Sequence, residues 1–435
     1  MRTRPPFIVF AALFAARVAH AQDLVPAAEA AATTDEADKI LREVEAEADT
    51  TAADAAVDSK LLVYGFLDAG AQRYFRADPQ TQGLLATQSS TFVSGNTNLY
   101  FDARPVRGWR GLIETRLSLL PQGDYDISRL GAVPRTDTRK VDATSPSGRN
   151  NVQLGSVIVE RSQIEYTHND AVNLRVGYFF TPWGIWNVDH GTPTLISLMM
   201  PSFLVQEAVP QRQTGVEFYG SWNGPPWQIG YHLYISNGRT RTLFDLSDDK
   251  AVGGRLLVSR QGRVRFALGF SGLYGTSSDE SKSITLDPDG YPVINAKKLY
   301  SFTEKTVGAD LSLDAGGFRL RAEVVHRQQI YDKGFHEPST LRPGGVLPNF
   351  AGNFAYIIGA YRFARHYEPY VYAEWGDGGL RNNIIDSGSV FSVGLNIYFT
   401  PYTQLKTQYV ESVFSNFSGN NHHLGFWSAR LVLAF

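Results

Sequence analysis

From Leu61 onward the chain consists of runs of about nine to thirteen residues in which apolar and polar side chains alternate. The connections between the runs are by turns short and long. Sixteen runs start near residues 62, 96, 107, 157, 172, 213, 227, 250, 263, 303, 317, 353, 367, 389, 402 and 423. A period of two sends successive side chains to opposite faces of a strand. The short connections are Arg104–Val106, His168–Ala171, Asn223–Pro226, Gln261–Gly262, Asp314–Gly316, Ala364–His366 and Thr400–Pro401. They are rich in Gly, Pro, Asn and Asp, which suit tight turns. The long ones cover about 75–95, 121–156, 181–212, 237–249, 276–302, 329–352, 376–388 and 413–422. A soluble sandwich or propeller has no reason to sort its loops by length. A barrel that crosses a membrane does so, with short turns on one side and long loops on the other. The fold class expected is therefore all-β, a 16-stranded antiparallel transmembrane β-barrel.

The two faces of the strands agree with this. In 172–180, Val172, Leu174, Val176, Tyr178 and Phe180 alternate with Asn173, Arg175, Gly177 and Phe179. In 263–274, Val264, Phe266, Leu268, Phe270 and Tyr274 alternate with Arg263, Arg265, Ala267 and Ser271. In 317–327, Phe318, Leu320, Ala322 and Val324 alternate with Arg319, Arg321, Glu323 and Arg327. An arginine on the lipid face at mid-bilayer costs about 2–4 kcal/mol. These arginines are thus expected to point into a wet lumen, which sixteen strands leave open. The same parity assigns Arg110, Arg116, Arg161, Arg255, Lys406 and Arg430 to the lumen. Glu114, Glu165, Glu323 and Glu374 stand opposite them. Tyr64, Trp109, Tyr166, Tyr178, Trp222, Trp227, Trp375, Tyr398 and Trp427 lie near strand ends, as interfacial girdles do.

The first 58 residues differ in kind. Residues 1–21 read as a secretory signal peptide, with Arg2 and Arg4 ahead of an apolar core from Phe7 to Ala16 and Ala19-His20-Ala21 as the cleavage pattern. Residues 22–58 hold eleven acidic against two basic residues. Thr33 and Glu36 have capping-box spacing, and Ile40, Leu41, Val44 and Ala48 form a helical stripe. Two readings stay open, an acidic linker or a short helical, coiled-coil segment at the periplasmic mouth. From Ser59 the region 59–435 carries 36 basic and 32 acidic residues, a net +4. Beyond the amino terminus no stretch of about 18 apolar residues could form a membrane helix. The chain has no cysteine, which excludes a disulfide scaffold.

Four stretches carry resemblances. His423 to Phe435 is apolar on one parity and ends on Phe435, and it resembles the closing strand of a bacterial outer-membrane barrel. That resemblance implies recognition of Phe435 by the barrel assembly machinery. Leu174-Arg-Val-Gly-Tyr-Phe-Phe-Thr-Pro-Trp-Gly184 is similar to the strand-to-loop motif of the phosphate-selective porin superfamily, which includes polyphosphate and dicarboxylate porins. Leu62-Val-Tyr-Gly-Phe-Leu-Asp68 and Thr214-Gly-Val-Glu-Phe-Tyr-Gly220 fit the same pattern. The resemblance implies a homotrimer in outer-membrane lipid and lipopolysaccharide, a third loop inside each barrel, and uptake of small anions. No lysine-dense loop set is present, which departs from the phosphate-specific members.

The loop 181–212 is the functional candidate on its own composition. Trp183, Ile185, Trp186, Leu195, Ile196, Leu198, Met199, Met200, Phe203, Leu204 and Val205 are too apolar for a loop in water. Folding into the barrel would bury them and narrow the pore, with Asp189, His190, Glu207 and Arg212 at the constriction. A loop packed at a subunit contact is the alternative. Asp189, His190 and Glu207 could form a metal or proton site, but a loop-anchoring hydrogen bond is the plainer reading. Asp287-Pro-Asp-Gly290 mimics part of a calcium loop and reads as a turn. No G-x-S-x-G, H-E-x-x-H or Gly-rich phosphate motif occurs. The expectation is a channel for small hydrophilic solutes, anion-preferring, with no enzymatic activity, cofactor or nucleic-acid partner. An outer-membrane barrel enzyme (lipase or protease) and a structural envelope anchor are the competing classes.

Overall fold

The computed structural model describes residues 60–77, 90–121, 152–188, 191–205, 207–239, 249–286, 292–338, 345–377, 387–415 and 421–435. The expected signal peptide, the acidic segment 22–58, Asp189, His190 and the 287–290 turn lie outside them. Every strand of the barrel lies within residues 60–435.

Sixteen strands run in chain order: β1 Leu61–Ala77, β2 Ser90–Ala103, β3 Trp109–Pro121, β4 Val152–Asn169, β5 Val172–Phe180, β6 Arg212–Gly224, β7 Trp227–Ser236 and β8 Ala251–Arg260. They continue as β9 Val264–Leu286, β10 Pro292–Ala315, β11 Phe318–Tyr331, β12 Phe350–Tyr361, β13 Tyr367–Asp377, β14 Ser387–Tyr398, β15 Thr403–Ser415 and β16 Asn421–Ala434. Each pairs with its chain neighbours, and β1 pairs antiparallel with β16 to close the barrel. At that seam Gly65 N donates to Phe435 O at 2.8 Å, and Phe435 N returns a bond to Gly65 O at 2.9 Å. Closure leaves no edge strand, which is what lets a sheet stand in lipid.

The alternation decides the two surfaces. Val176, Phe218, Leu233, Phe270, Val324 and Leu431 are exposed on the outside. The intervening positions Arg175, Glu217, Glu323 and Arg327 are covered within. A continuous apolar exterior on a closed barrel is a lipid-facing surface. Trp109, Tyr166, Trp222, Trp227, Trp375 and Trp427 are exposed on it. Tyr64 and Tyr398 differ from the girdle expectation. Tyr64 stacks on Tyr100 at 4.8 Å, and the Tyr398 hydroxyl donates to buried Glu368. Both rings are at strand ends but on the inward parity, because position along a strand and facing are independent.

Two further expectations are corrected. The long loop at 276–302 is mostly strand, since β9 and β10 run to 23 and 24 residues and stay paired through Leu286 and Pro292. Thr276, Ile284, Thr285, Val293 and Ile294 are β-branched, and Asp287–Gly290 supplies a turn signal, so the hairpin continues past membrane length. Arg263 is exposed in the turn before β9 and is not an inward strand position. The main apolar cluster lies inside the barrel. There Trp183, Trp186, Ile196, Phe203, Leu204 and Val209 of the 181–211 segment pack against Tyr234, Leu273, Val325, Phe354, Tyr356 and Tyr372 of the wall.

Candidate functional site

The segment between β5 and β6 is closed at its base. Thr181 N donates to Gln211 O at 3.0 Å, and Asn187 Nδ2 donates to both Thr181 O and Gln211 O. From there its backbone is bonded to inward side chains around much of the barrel. Glu323 on β11 accepts the Ile185 and Trp186 N–H groups at 3.0 and 2.9 Å. Arg255 on β8 donates to the Gly184 carbonyl and to Asp310. Thr192 donates to Asp68 on β1 at 2.9 Å, and Gln404 on β15 donates to Pro193 O. Lys406 donates to Leu195 O, Asn396 to Ile196 O, and Gln408 accepts from Leu198 N. Ser202, opening a single helical turn Ser202–Val205, gives its N–H and hydroxyl to Glu374 on β13. Arg327 and Arg239 donate to the Glu207 carbonyl. The residues between Gly184 and Ser202 thus contact β8 and β11, then β1 and β15, then β13. These wall groups lie on β8, β11, β13, β14, β15 and β1.

The opposite wall, β2–β7, carries charge. Near the short-turn end one chain of ion pairs crosses five strands and ends in a Glu217–His232 hydrogen bond to a sixth. It runs Arg104–Asp102 at 3.2 Å, Asp102–Arg110 at 2.8 Å, Arg110–Glu165 at 3.2 Å, Glu165–Arg175 and Arg175–Glu217 at 2.8 Å, and Glu217–His232 at 2.6 Å. A second tier lies nearer the long loops. Arg161 pairs with Glu114 at 2.7 Å, Arg116 with Glu160 at 2.8 Å, and Arg212 with the same Glu160. Aromatic rings hold the guanidinium planes. Arg161 lies over Tyr100 and Phe180, Arg212 over Phe180, and Arg175 over Tyr219 at 4.6 Å. The pairs are oriented. Arg110, Arg116 and Arg161 are 30%, 32% and 26% exposed, while Asp102, Glu160 and Glu114 behind them are 2%, 1% and 0% exposed. Water in the lumen therefore meets cations, with the anions set in the wall.

Among the remaining inward arginines, Arg319 and Arg430 are oriented the same way, while Arg321 is less exposed than its partner Asp314. Arg319 pairs with buried Glu368, Arg430 with buried Asp68, and Arg265 and Arg321 with Asp314. Arg327 and Arg239 share Glu304 and are themselves buried. Of the four glutamates expected to oppose arginines, Glu114 and Glu165 do so. Glu323 and Glu374 instead take peptide N–H groups of the loop and the hydroxyls of Tyr356 and Tyr372. Trp183 and Trp186 are loop residues buried against the wall, Glu207 is bonded through its backbone, and Arg212 is the first residue of β6. Sequence reasoning missed Asp68, Asp102, Glu160, Glu217, Asp310, Asp314 and Glu368. Most share inward parity with the arginines. Their pairing needs register, such as Glu114 beside Arg161 or Asp314 beside Arg265. Glu160 is displaced by a bulge in β4, which no alternation count reveals.

No family model and no curated protein sequence matches the chain. Solved structures do. The outer membrane channel DcaP of Acinetobacter baumannii superposes with a TM-score of 0.54 at 11% identity, over 86% of this chain and 97% of that one. An anion-selective porin from Comamonas acidovorans gives 0.51 at 10% identity, over 86% and 99%. The trimer form of OmpT, an outer membrane protein of Vibrio cholerae, gives 0.50 at 9% identity, over 86% and 99%. Identities this low establish a shared fold. Together with the apolar exterior and the even, closed, antiparallel sheet, that fold makes the chain an integral protein of a bacterial outer membrane.

Proposed function

We propose that the chain is a passive diffusion channel for small hydrophilic solutes and that it prefers anions. The observation that carries the reading is the orientation of the ion pairs on β2–β7. Each pair is neutral as a whole, but its guanidinium stands toward water and its carboxylate lies in the wall. A narrow passage with low-dielectric walls concentrates such a field, so an anion entering it meets a lowered barrier and a cation a raised one. Rings under Arg161, Arg175 and Arg212 help hold the planar forks in place, which suits carboxylate and phosphate oxygens. In this reading Arg110, Arg116, Arg161, Arg175 and Arg212 line the path. The 181–211 segment is the constriction, leaving open the side of the lumen its bonds do not reach. Arg255, Arg265, Arg319, Arg321 and Arg430 serve the far wall.

The similar solved structures support a channel, and one of them is an anion-selective porin. Assembly as a homotrimer and kinship with the phosphate-selective porin superfamily belong to the same proposal. One of the similar structures, OmpT of Vibrio cholerae, is a trimer form. The test is the reversal potential of the purified protein in a planar bilayer under a potassium chloride gradient. Chloride preference is expected, and the triple variant Arg110→Ala, Arg116→Ala, Arg161→Ala should lose most of it. Cation preference in the native protein would refute the anion reading, and electrical silence would refute the channel.

A further inference from the structure

The loop's two ends meet the wall at two buried carboxylates, and those carboxylates are joined to each other. Glu323 takes three donors on one oxygen: Ile185 N, Trp186 N and the Tyr356 hydroxyl at 2.6 Å. Glu374 takes Ser202 through N–H and hydroxyl on one oxygen, and the Tyr372 hydroxyl on the other at 2.7 Å. Tyr356 on β12 and Tyr372 on β13 are stacked with centroids 5.7 Å apart and 23° between planes. Phe203, one residue after Ser202, stacks on Tyr356 at 6.4 Å and 10°. A continuous path of contacts therefore runs from the first turn of the loop, through Glu323, Tyr356, Tyr372 and Glu374, back to its helical turn. All four side chains are buried.

We propose that Glu323, Tyr356, Tyr372 and Glu374 act as one latch, a set of positioning residues that fixes how far the loop stands from the arginine wall. The physical ground is that neither carboxylate can be moved alone. Shifting Glu323 strips two peptide N–H groups and displaces Tyr356. That disturbs the stack that seats both Tyr372 and Phe203, and so the turn held by Glu374. The central stitches at Lys406, Asn396 and Gln408 tie the loop to β14–β15 but lie outside this circuit. The latch governs the gap through which solute passes, and it rests on the reading of the protein as a channel.

The experiment is single-channel recording of full-length Glu323→Ala, Glu374→Ala and the double variant in planar bilayers. Heat-modified gel mobility confirms that each barrel is closed. Each single variant is expected to show a larger, noisier unitary conductance and weakened chloride preference. The double variant should do no more than the stronger single one, because either loss releases the same unit. Glu323→Gln should fall between Glu323→Ala and the native protein, since its carbonyl oxygen keeps two lone pairs for the three donors while its amide brings two N–H groups into the buried site. If Glu323→Ala does not fold, Gly184→Ala reports in its place. A Cβ there would press on the Glu323 carboxylate, at a residue whose φ is +58°. Native conductance in the folded variants overturns the latch, and so do single effects that simply add. A native protein that forms no channels overturns the channel reading instead, which keeps the two failures apart.

Discussion

At Gly308 the hydrogen on Cα stands where any side chain would meet the Trp183 indole. A Cβ would lie 2.7 Å from its Cζ2 and 3.0 Å from the Val324 carbonyl oxygen. Gly308→Val is therefore expected to lift Trp183 off the wall, at an overpacking cost of about 1–3 kcal/mol. Urea titration of the refolded protein in vesicles, followed by tryptophan emission, measures it. An unchanged midpoint with unchanged emission would mean the indole is not seated there. The indole's burial is readable from sequence in one sense only. Trp183 sits in a stretch too greasy for water, but nothing local says that Gly308, 125 residues on, makes room for it. The arginines behave likewise. Parity alone turned Arg161 and Arg175 inward, whereas Glu114 and Glu217 as their partners depend on strand register.

Strand β11 shows how much a single element carries. Its outward residues Phe318, Val324 and Ile330 are exposed, and its inward residues Arg319, Arg321, Glu323 and Arg327 make four different attachments. Val324→Arg puts a guanidinium on the lipid face at mid-strand and is expected to cost about 2–4 kcal/mol. Denaturant unfolding in phospholipid vesicles checks it, and a neutral result would reverse the facing of the strand. The β9–β10 hairpin is the element read least well. Its alternation past Thr276 is polar on both faces, so a pattern tuned to lipid on one side and water on the other does not register it. The backbone pairing nevertheless continues to Leu286. Loop 181–211 is the reverse case. Its apolar load is plain in the sequence, but the wall groups that hold it come from six strands.

For the whole molecule the field of the lumen is the property that matters, and it is small in net terms. Almost every inward arginine has a carboxylate behind it, so selectivity rests on the direction of each pair and not on the count of charges. Fields of this kind are screened. The Debye length falls from about 10 Å at 0.1 M salt to about 3 Å at 1 M. Chloride preference measured at a fixed concentration ratio should therefore shrink steeply as mean salt rises. Preference that holds at 1 M would assign selectivity to direct contact within the constriction. The number of strands, their antiparallel order, the sorting of connections and the inward turn of the arginines other than Arg263 were settled by the sequence. All are local consequences of a period of two between a lipid face and a wet one. The closing of β1 on β16, the register that set each carboxylate behind its guanidinium, and the wall sites gripping the loop were decided only by the tertiary structure. These depend on which strands come to face one another across the barrel, a relation between residues hundreds of positions apart that no periodicity along the chain encodes.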